Sequence, residues 1–424
     1  MRMATTNTTL NLSLSVCTWN VSQASPPDDF DELFYLNGDL QSDLVAVGLQ
    51  EIDASVLAYM NDTFFDDPWT YALTRVLNRK NYVRIKSIRL VGMLLIVYAK
   101  REHVPCITKV DVNYTRTGIG GYWGNKGGVT IRMDIHGVSV CFVNCHLAAH
   151  DYAIAQRISD YDSIVEQQKF DVYKDGKMTI MDHDYIFWLG DLNFRLDDVD
   201  RDETLRLLQR EDYQSLWKND QLNRLKEQGL ILVSFSEGKL DFPCTYKYDR
   251  GTSEYDKSKK KRKPAWCDRI LWLAHEKSLM ETPLSVKQHS YKCIQEYKDS
   301  DHKPVVSYFT FEGQKAFESP VLFDITEWDH SMDGIITYSV SPDLEVTNWD
   351  WIGLYRDNYG DVQEYEMYLW ASTECLEKTK EGLKLYRAVI GKISLLSFVG
   401  DFFLIYHSSK CKSAVGHSKL FTIR

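Results

Sequence analysis

Apolar runs that each end in a polar or charged residue recur along most of the chain. Residues 10–21 alternate apolar and polar positions and close on the letters TWN, which predicts a half-buried strand ending near Asn20. Residues 43–49 form a second apolar run that ends at Gln50 and Glu51. Residues 184–189 are aromatic and aliphatic and read as a short buried strand that Gly190 breaks.

Helical spacing of apolar residues appears between these runs. The segments with that spacing are 53–61, 66–80, 151–168, 202–209 and 220–228. Further strands are expected at 84–100, as a pair bent at Gly92, at 130–134 and 138–145 as a hairpin, at 264–273, and within 300–311. Strands that alternate with helices predict an α/β (α+β) domain.

This pattern stops at residues 313–320. After it come short β-type runs at 350–356, 364–372 and 401–409, with turn-like breaks and without long helical periodicity. We therefore predict an α/β domain at residues 1–312, a linker at 313–320 and a smaller all-β sandwich at 321–424.

Composition narrows the class of protein. The 424 residues suffice for two or three domains. Sixty acidic against fifty basic residues give a net charge of -10, which argues against a nucleic-acid partner and makes any anion site a local one. Nine scattered cysteines form no C-x-x-C pair, and neither a signal peptide nor an apolar run of 18 residues occurs, so we expect a soluble protein in the reducing cytoplasm.

Polar side chains that could perform chemistry stand at the predicted strand ends. Taken singly, each has a structural explanation: an Asx turn for the GDLN letters, a satisfied core histidine for His146, a helix-start acid for Glu51 and a partner of Arg269 for Asp268. The complete set is Asn20, Glu51, His146, Asp191, Asn193, Asp268, Asp301 and His302.

Taken together, these residues specify a hard, oxygen-rich site. Carboxylates and an amide without a cysteine or histidine cluster suit Mg²⁺, which keeps positions for water and phosphate. Histidines nearby can donate N–H groups to phosphoryl oxygens, and a carboxylate behind one of them favours the imidazolium. Since no activated serine or cysteine is apparent, the pattern favours phosphoester hydrolysis by direct attack of water.

Two loops carry further signals. Residues 115–128 are rich in glycine and present the apolar residues Ile119, Tyr122 and Trp123. Six of the seven positions at 257–263 are cationic, which is typical either of a solvated loop or of a local anion site.

The chain resembles the inositol polyphosphate 5-phosphatases of the magnesium-dependent endonuclease/exonuclease/phosphatase superfamily. The resemblance covers roughly residues 12 to 312. It rests on FWLGDLNFR and PAWCDRIL, supported in order by TWN, LQE, GNKGG, NCHLAAH and SDHKPV. It implies a four-layer αββα sandwich of the deoxyribonuclease-I-like kind.

The resemblance also implies roles for single residues. Glu51 would bind Mg²⁺ with Asn20 beside it, and Asp301 could support the metal or its waters. Asp191 would orient and deprotonate the attacking water, and Asn193 would steady that water and the scissile phosphate. His302, paired with Asp268, would stabilise charge on the transferring phosphoryl group. The phosphate contacts implied are His146, Asn144 and, within GNKGG, Lys126.

The same resemblance implies roles for the basic loop, residues 257–263, and for the glycine-rich loop, residues 115–128. The contacts to the 4-phosphate of the inositol ring would be Tyr246, Lys247, Lys260 and Arg262. The acyl chains of a lipid substrate would be contacted by Ile119, Tyr122 and Trp123. Each cation near an anionic leaflet contributes about 1 kcal/mol to membrane binding, so the basic loop could orient the protein on a membrane.

The implied function is Mg²⁺-dependent removal of the 5-phosphate from phosphatidylinositol 4,5-bisphosphate and 3,4,5-trisphosphate, with soluble inositol polyphosphates as further substrates. Residues 321–424 resemble the SKICH domain through WDWIGLYR, YLWAS and FFLIYHSS, which implies a membrane or protein partner. A monomer recruited to the plasma membrane or endoplasmic reticulum is expected. The alternatives are a nuclease of the same superfamily and a non-catalytic membrane or protein scaffold.

Overall fold

Two six-stranded sheets, a separate two-stranded hairpin and their helices make up the described part of the chain up to Gln314. The computed structural model describes residues 9–34, 41–53, 67–118, 125–173, 176–278, 283–314, 319–325, 327–380 and 382–424. The strands in this part are β1 (Thr9–Asn20), β2 (Leu44–Gln50), β3 (Tyr82–Leu90), β4 (Met93–Lys100), β5 (Ile107–Arg116), β6 (Gly127–Ile135), β7 (Val138–His146), β8 (Lys169–Tyr173), β9 (Gly176–Thr179), β10 (Tyr185–Asp191), β11 (Ser236–Glu237), β12 (Asp268–Ala274), β13 (Val286–Cys293) and β14 (Val305–Gln314).

The helices lie mainly outside the sheets. They are α1 (Asp31–Phe34), α2 (Pro68–Asn78), α3 (Ile154–Gln167), α4 (Arg201–Gln209), α5 (Tyr213–Trp217) and α6 (Gln221–Glu227), with short 3-10 helices at Arg101–Cys106 and Ile180–Asp182. Asp67 begins α2 by accepting hydrogen bonds from the backbone N–H groups of Trp69 and Thr70, and Pro68 occupies the first helical position.

The strand order is β13-β14-β1-β2-β4-β3 in the first sheet and β11-β12-β10-β7-β6-β5 in the second. Aromatic residues join the two sheets: the ring of Phe187 in β10 lies 5.7 Å from that of Phe142 in β7 and 5.2 Å from that of Phe309 in β14. Leu73 of α2 packs on the outer face of the first sheet and Ile164 of α3 on that of the second. The predicted αββα sandwich is confirmed.

Gly190 does not interrupt its strand, so the prediction of a break there is wrong. β10 continues through Gly190 to Asp191. The residue has φ +141, and a Cβ atom on it would lie 2.1 Å from the backbone oxygen of Cys145. Only glycine therefore allows β10 to approach β7 this closely at the site end of the sheet.

The described residues after Ser319 form an all-β domain, as predicted. Its strands belong to one nine-stranded sheet. The strands that carry Ile352 and Tyr386 are far apart in this sheet, yet both residues belong to the same hydrophobic core, so the sheet curls into a half-barrel. The strands are β15 (Val321–Asp324), β16 (Gly334–Val340), β17 (Trp351–Arg356), β18 (Met367–Trp370), β19 (Glu377–Lys378), β20 (Lys384–Ile390), β21 (Gly400–Ser408), β22 (Ser413–His417) and β23 (Phe421–Ile423), with helix α7 (Lys392–Leu395).

The all-β domain docks on edge strands of both sheets. The backbone N–H of Arg84 in β3 donates to Gly360 O at 2.8 Å, and the Arg84 side chain pairs with Asp361. The backbone N–H of Lys109 in β5 donates to Cys411 O at 2.7 Å. These contacts give the edges of the sheets hydrogen-bond partners that an isolated sandwich would leave exposed.

The described helices offer no membrane-spanning candidate, because none combines the necessary length with an apolar sequence.

Candidate active site

Strand register brings the ends of four strands of the two sheets to one edge of the sandwich. In the first sheet Asn20 pairs with Gln50, and Glu51 follows directly. In the second sheet Asp191 pairs with His146 on one side and with Asp268 on the other. Because β1 and β2 are parallel, as are β7 and β10, the polar residues that end them meet at this edge.

Asp191 lies at the centre of the site and is almost completely buried. Its Oδ2 accepts a hydrogen bond from Asn20 Nδ2 at 3.0 Å and lies 3.3 Å from His146 Nε2. Its Oδ1 accepts from the backbone N–H of Asn193 at 3.1 Å. Burial would raise the pKa of Asp191, but His302 and His146 hold it well below its ordinary value, so the carboxylate is ionised.

His302 and Asp268 form a buried pair beside Asp191. The Nδ1 of His302 lies 2.8 Å from Asp268 Oδ2, and its Nε2 faces Asp191 Oδ2 at 4.0 Å. Thr245 Oγ1 also donates to Asp268 Oδ2, at 2.6 Å. Burial would lower the pKa of His302, but the carboxylates of Asp268 and Asp191 raise it to about 9, which makes it an imidazolium at neutral pH.

His146 stands on the other side of Asp191. Its Nε2 contacts the Nζ atom of Lys126 and lies 3.8 Å from Glu51 Oε1. Burial and the Lys126 ammonium lower the pKa of His146. The side chain of Glu51 is 44% exposed, so this carboxylate is accessible to solvent.

Two of the three asparagines of the predicted site, Asn144 and Asn193, hydrogen-bond to backbone carbonyls. Asn144 Nδ2 donates to Leu49 O at 3.1 Å and to Leu94 O at 2.9 Å, while its Oδ1 accepts from Gln50 Nε2 at 2.7 Å. Asn144 therefore joins the two sheets, and its contact with phosphate stays a prediction.

Asn193, with φ +58, donates from Nδ2 to Leu147 O at 3.1 Å. Its Oδ1 accepts from Arg195 at 2.6 Å. The side chain lies two residues after Asp191, and these bonds hold the turn that follows β10.

The donor set fits a hard divalent cation. Glu51 offers a solvent-accessible carboxylate. The amide of Asn20 lies between Asp191 and Ser22, and the Ser22 N–H donates to Asn20 Oδ1 at 3.0 Å. Carboxylate oxygens of Asp191 and Asp268 also lie within 4.8 Å of each other. Oxygen donors of this kind suit Mg²⁺ or Ca²⁺ better than softer metals. Asp301 is engaged elsewhere, in an ion pair with Lys247.

The predicted residues for the 4-phosphate lie in different surroundings. Tyr246 packs on His302 with ring centroids 4.6 Å apart, and the Arg195 guanidinium lies 4.5 Å above the Tyr246 ring. Lys260 is exposed, and Arg262 is half-buried with its N–H on Asp256 Oδ2 at 2.8 Å. Ile119, Tyr122 and Trp123 lie outside the described residues.

Sequence reasoning overlooked three supporting residues. Thr245 holds Asp268, Arg195 holds Asn193 and Tyr246, and the hydroxyl of Ser300 donates to Asn20 O at 2.6 Å and accepts from His302 N. Arg195 and Ser300 stand inside motifs already quoted, and Thr245 directly precedes the predicted site residue Tyr246, so their positions were a usable signal.

Comparison with protein families gives two matches. Residues 17–308 match the Endonuclease/Exonuclease/phosphatase family 2, and residues 321–423 match the SKICH domain. Together they cover nearly all of the chain.

Two curated relatives align along almost the whole chain. Phosphatidylinositol 4,5-bisphosphate 5-phosphatase A of Rattus norvegicus is 38% identical over 97% of this chain, which corresponds to 42% of the rat protein. Inositol polyphosphate 5-phosphatase K of Mus musculus is 36% identical over 97% of this chain and 90% of its own length. The chain thus spans about two fifths of the rat relative and most of the mouse one.

A solved structure shares the sandwich. The inositol polyphosphate 5-phosphatase domain of SPsynaptojanin, crystallised with inositol (1,4)-bisphosphate and calcium ion, superposes with a TM-score of 0.62 at 31% identity. The match covers 72% of this chain and 85% of that domain.

Proposed function

The chain belongs to the Endonuclease/Exonuclease/phosphatase family 2 and, within it, to the SKICH-containing inositol polyphosphate 5-phosphatases, and on that basis we propose that it hydrolyses the 5-phosphate of phosphoinositides. The substrates proposed are phosphatidylinositol 4,5-bisphosphate and 3,4,5-trisphosphate. Soluble inositol polyphosphates with the same ring phosphates are further substrates.

One observation carries this proposal: an ionised carboxylate and a buried imidazolium lie next to each other at the end of the sheets. Asp191 is the carboxylate, and His302 is the imidazolium whose Nε2 lies 4.0 Å from it. Asp191 orients a water molecule and accepts its proton as the water attacks phosphorus in line. Phosphoryl transfer needs positioning and charge stabilisation more than covalent chemistry, and this arrangement supplies both.

His302 acts on the transferring group. Its Nδ1 is held by Asp268, so the Nε2–H can donate to a phosphoryl oxygen as negative charge moves towards the leaving oxygen. The Lys126 ammonium on the other side of Asp191 has the same electrostatic task. Lys126 contacts His146 there, and the two together bind the scissile phosphate in this proposal.

A divalent cation, proposed to be Mg²⁺, would be held by Glu51 with Asn20 beside it. When bound, such an ion polarises phosphoryl oxygens and offsets their charge. The hydrogen bonds that Asp191 accepts from Asn20 and Asn193 orient the base.

Specificity for a neighbouring 4-phosphate is assigned to Tyr246 and Lys247, with Lys260 and Arg262 from the basic loop. Lys247 is held by Asp301 beside His302 and keeps 32% of its side chain exposed. An ammonium with remaining donors suits a second phosphate on the same ring. The basic loop and the SKICH domain are proposed to recruit the protein from the cytoplasm to membranes or to protein partners.

The test is phosphate release with Mg²⁺ from short-chain phosphatidylinositol 4,5-bisphosphate and from phosphatidylinositol 4-phosphate. Wild-type protein is compared with Asp191→Asn, which keeps the shape of the side chain but removes the base. We expect release from the bisphosphate alone, lost in the variant. Equal release from both lipids would contradict 5-phosphate specificity, and absence of release from lipids and inositol trisphosphate would support the scaffold alternative.

A further inference from the structure

A cavity of about 550 Å³ lies between the two domains. The sandwich contributes Ile85, Val104, Ile107 and Val110 to its apolar side, and the all-β domain contributes most of the rest. Its position differs from that of the active site. Arg84, which precedes the lining residue Ile85, pairs with Tyr98 near the end of β4. The active site lies near the other end of this strand, where Leu94 pairs with Leu49.

Aromatic rings form one wall of this cavity. Trp351 and His407 stack in parallel with centroids 3.8 Å apart and an interplanar angle of 3°. Tyr365 packs edge-on against Trp351 at 5.2 Å. At the mouth stands Trp349, which is 70% exposed. Such a wall offers flat apolar surfaces on which a planar ring can stack.

The charged groups of the cavity are cationic. Lys86 and Lys412 belong to the lining, and the described lining contains neither aspartate nor glutamate. Lys412 is held by Asp111 at 2.9 Å across the domain junction, whereas Lys86 has no ion pair among the described residues. Burial lowers the pKa of His407 to about 3, so its ring adds no charge at neutral pH.

Hydroxyl groups complete the wall next to the rings. Ser408, Ser409 and Ser413 line the cavity on the stretch that joins β21 to β22. A volume in this range, with apolar walls and few convergent polar groups, is characteristic of sites for small molecules.

We propose that this junction cavity binds a small molecule that combines a planar ring with an anionic group, such as a nucleoside monophosphate. The ring stacks between Trp349 and the Trp351–His407 pair, and the anionic group meets Lys86. A ligand seated there contacts both domains. Its binding would therefore also stabilise their junction by mass action.

The experiment uses 1-anilinonaphthalene-8-sulfonate, an aromatic sulfonate that a phosphatase does not hydrolyse, titrated into the full chain and followed by fluorescence. We expect saturable binding at one site per chain. Trp349→Ala and Lys86→Glu should each weaken binding by about tenfold or more, which corresponds to a loss of about 1.4 kcal/mol or more in binding free energy. The matched controls are Tyr152→Ala, an 85% exposed ring elsewhere, and Lys419→Glu, an exposed lysine outside the lining.

Thermal unfolding of each variant first establishes that it is folded. Both lining residues lie at or near the surface, and either variant alone suffices for the comparison. Displacement of the probe by adenosine monophosphate supports a small-molecule ligand. Displacement by a phosphotyrosine peptide alone would overturn that choice in favour of a protein partner. Equal binding by lining and control variants, or lack of saturation, would overturn the proposal.

Discussion

His302 Nδ1 lies 2.8 Å from Asp268 Oδ2 in a pocket that solvent barely reaches. The pair connects two motifs that are 34 residues apart in the chain. Asp268 begins β12, and His302 precedes β14 in the opposite sheet. Their contact therefore joins the two sheets at the site and holds the imidazole in one orientation towards Asp191.

Asp268→Asn should lower the activity and shift its pH dependence. The protonated form of His302 is the active one, so wild-type activity should fall as the pH rises through about 9. Removal of the Asp268 charge takes away the strongest influence that raises the His302 pKa, and the falling limb should move towards neutral pH. We expect a loss in kcat of about 10²- to 10³-fold, measured by phosphate release across a pH series.

A purely structural role for Asp268 would lower kcat at every pH without moving the limb. That result would contradict the account. Thermal unfolding of the variant separates the two effects.

Lys247→Ala should weaken recognition of the 4-phosphate. We expect KM for phosphatidylinositol 4,5-bisphosphate to rise by about tenfold, because a hydrogen bond to a charged group contributes about 1.5 kcal/mol or more. KM for phosphatidylinositol 5-phosphate, which lacks that group, should change little. Lys177→Ala, at an exposed lysine of the β8–β9 hairpin, is the control. Equal effects on both lipids would show that Lys247 does not read the 4-phosphate.

Gly190→Ala should destabilise the sandwich by about 3 kcal/mol or more, since the new Cβ would overlap the backbone of Cys145 and the residue has φ +141. Gly176→Ala is the matched control: among the described residues, no atom beyond its chain neighbours lies within 4 Å of its Cβ position, and we expect a change within about 0.5 kcal/mol. Urea unfolding gives both free energies. Similar values for the two variants would contradict the close approach of β10 and β7.

Arg84→Ala should loosen the junction of the domains. Arg84 and Asp361 are both largely buried, and removal of one partner leaves an uncompensated charge at a cost of about 3 kcal/mol. The same substitution in an Asp361→Asn background should cost less. Arg356→Ala, which breaks an exposed pair with Glu366, is the control. Calorimetry that shows equal costs in both backgrounds would contradict the coupling.

Most of the site architecture could be predicted because the central strands are buried on both faces. β2 and β10 carry unbroken apolar sequences, and each delivers a polar residue at its carboxyl end. Edge strands lack that signal. β5 and β13 alternate weakly and expose much of their surface, so their sequences do not indicate strands as clearly.

The remaining features depend on contacts between distant parts of the chain. Asn144 belongs to a motif at the site, yet its amide joins β7 to β2 and β4, which only the stacking of the sheets reveals. Likewise, Arg84 and Asp361 are 277 residues apart, and their local sequences give no indication of a pair.

The most direct measurement of the central claim is identification of the product formed from phosphatidylinositol 4,5-bisphosphate by ³¹P NMR. Full-length wild-type protein and Asp191→Asn are compared with Mg²⁺ present. The account predicts phosphatidylinositol 4-phosphate and inorganic phosphate from the wild type, with neither formed by the variant. A product that keeps its 5-phosphate, or turnover that survives in Asp191→Asn, would contradict it.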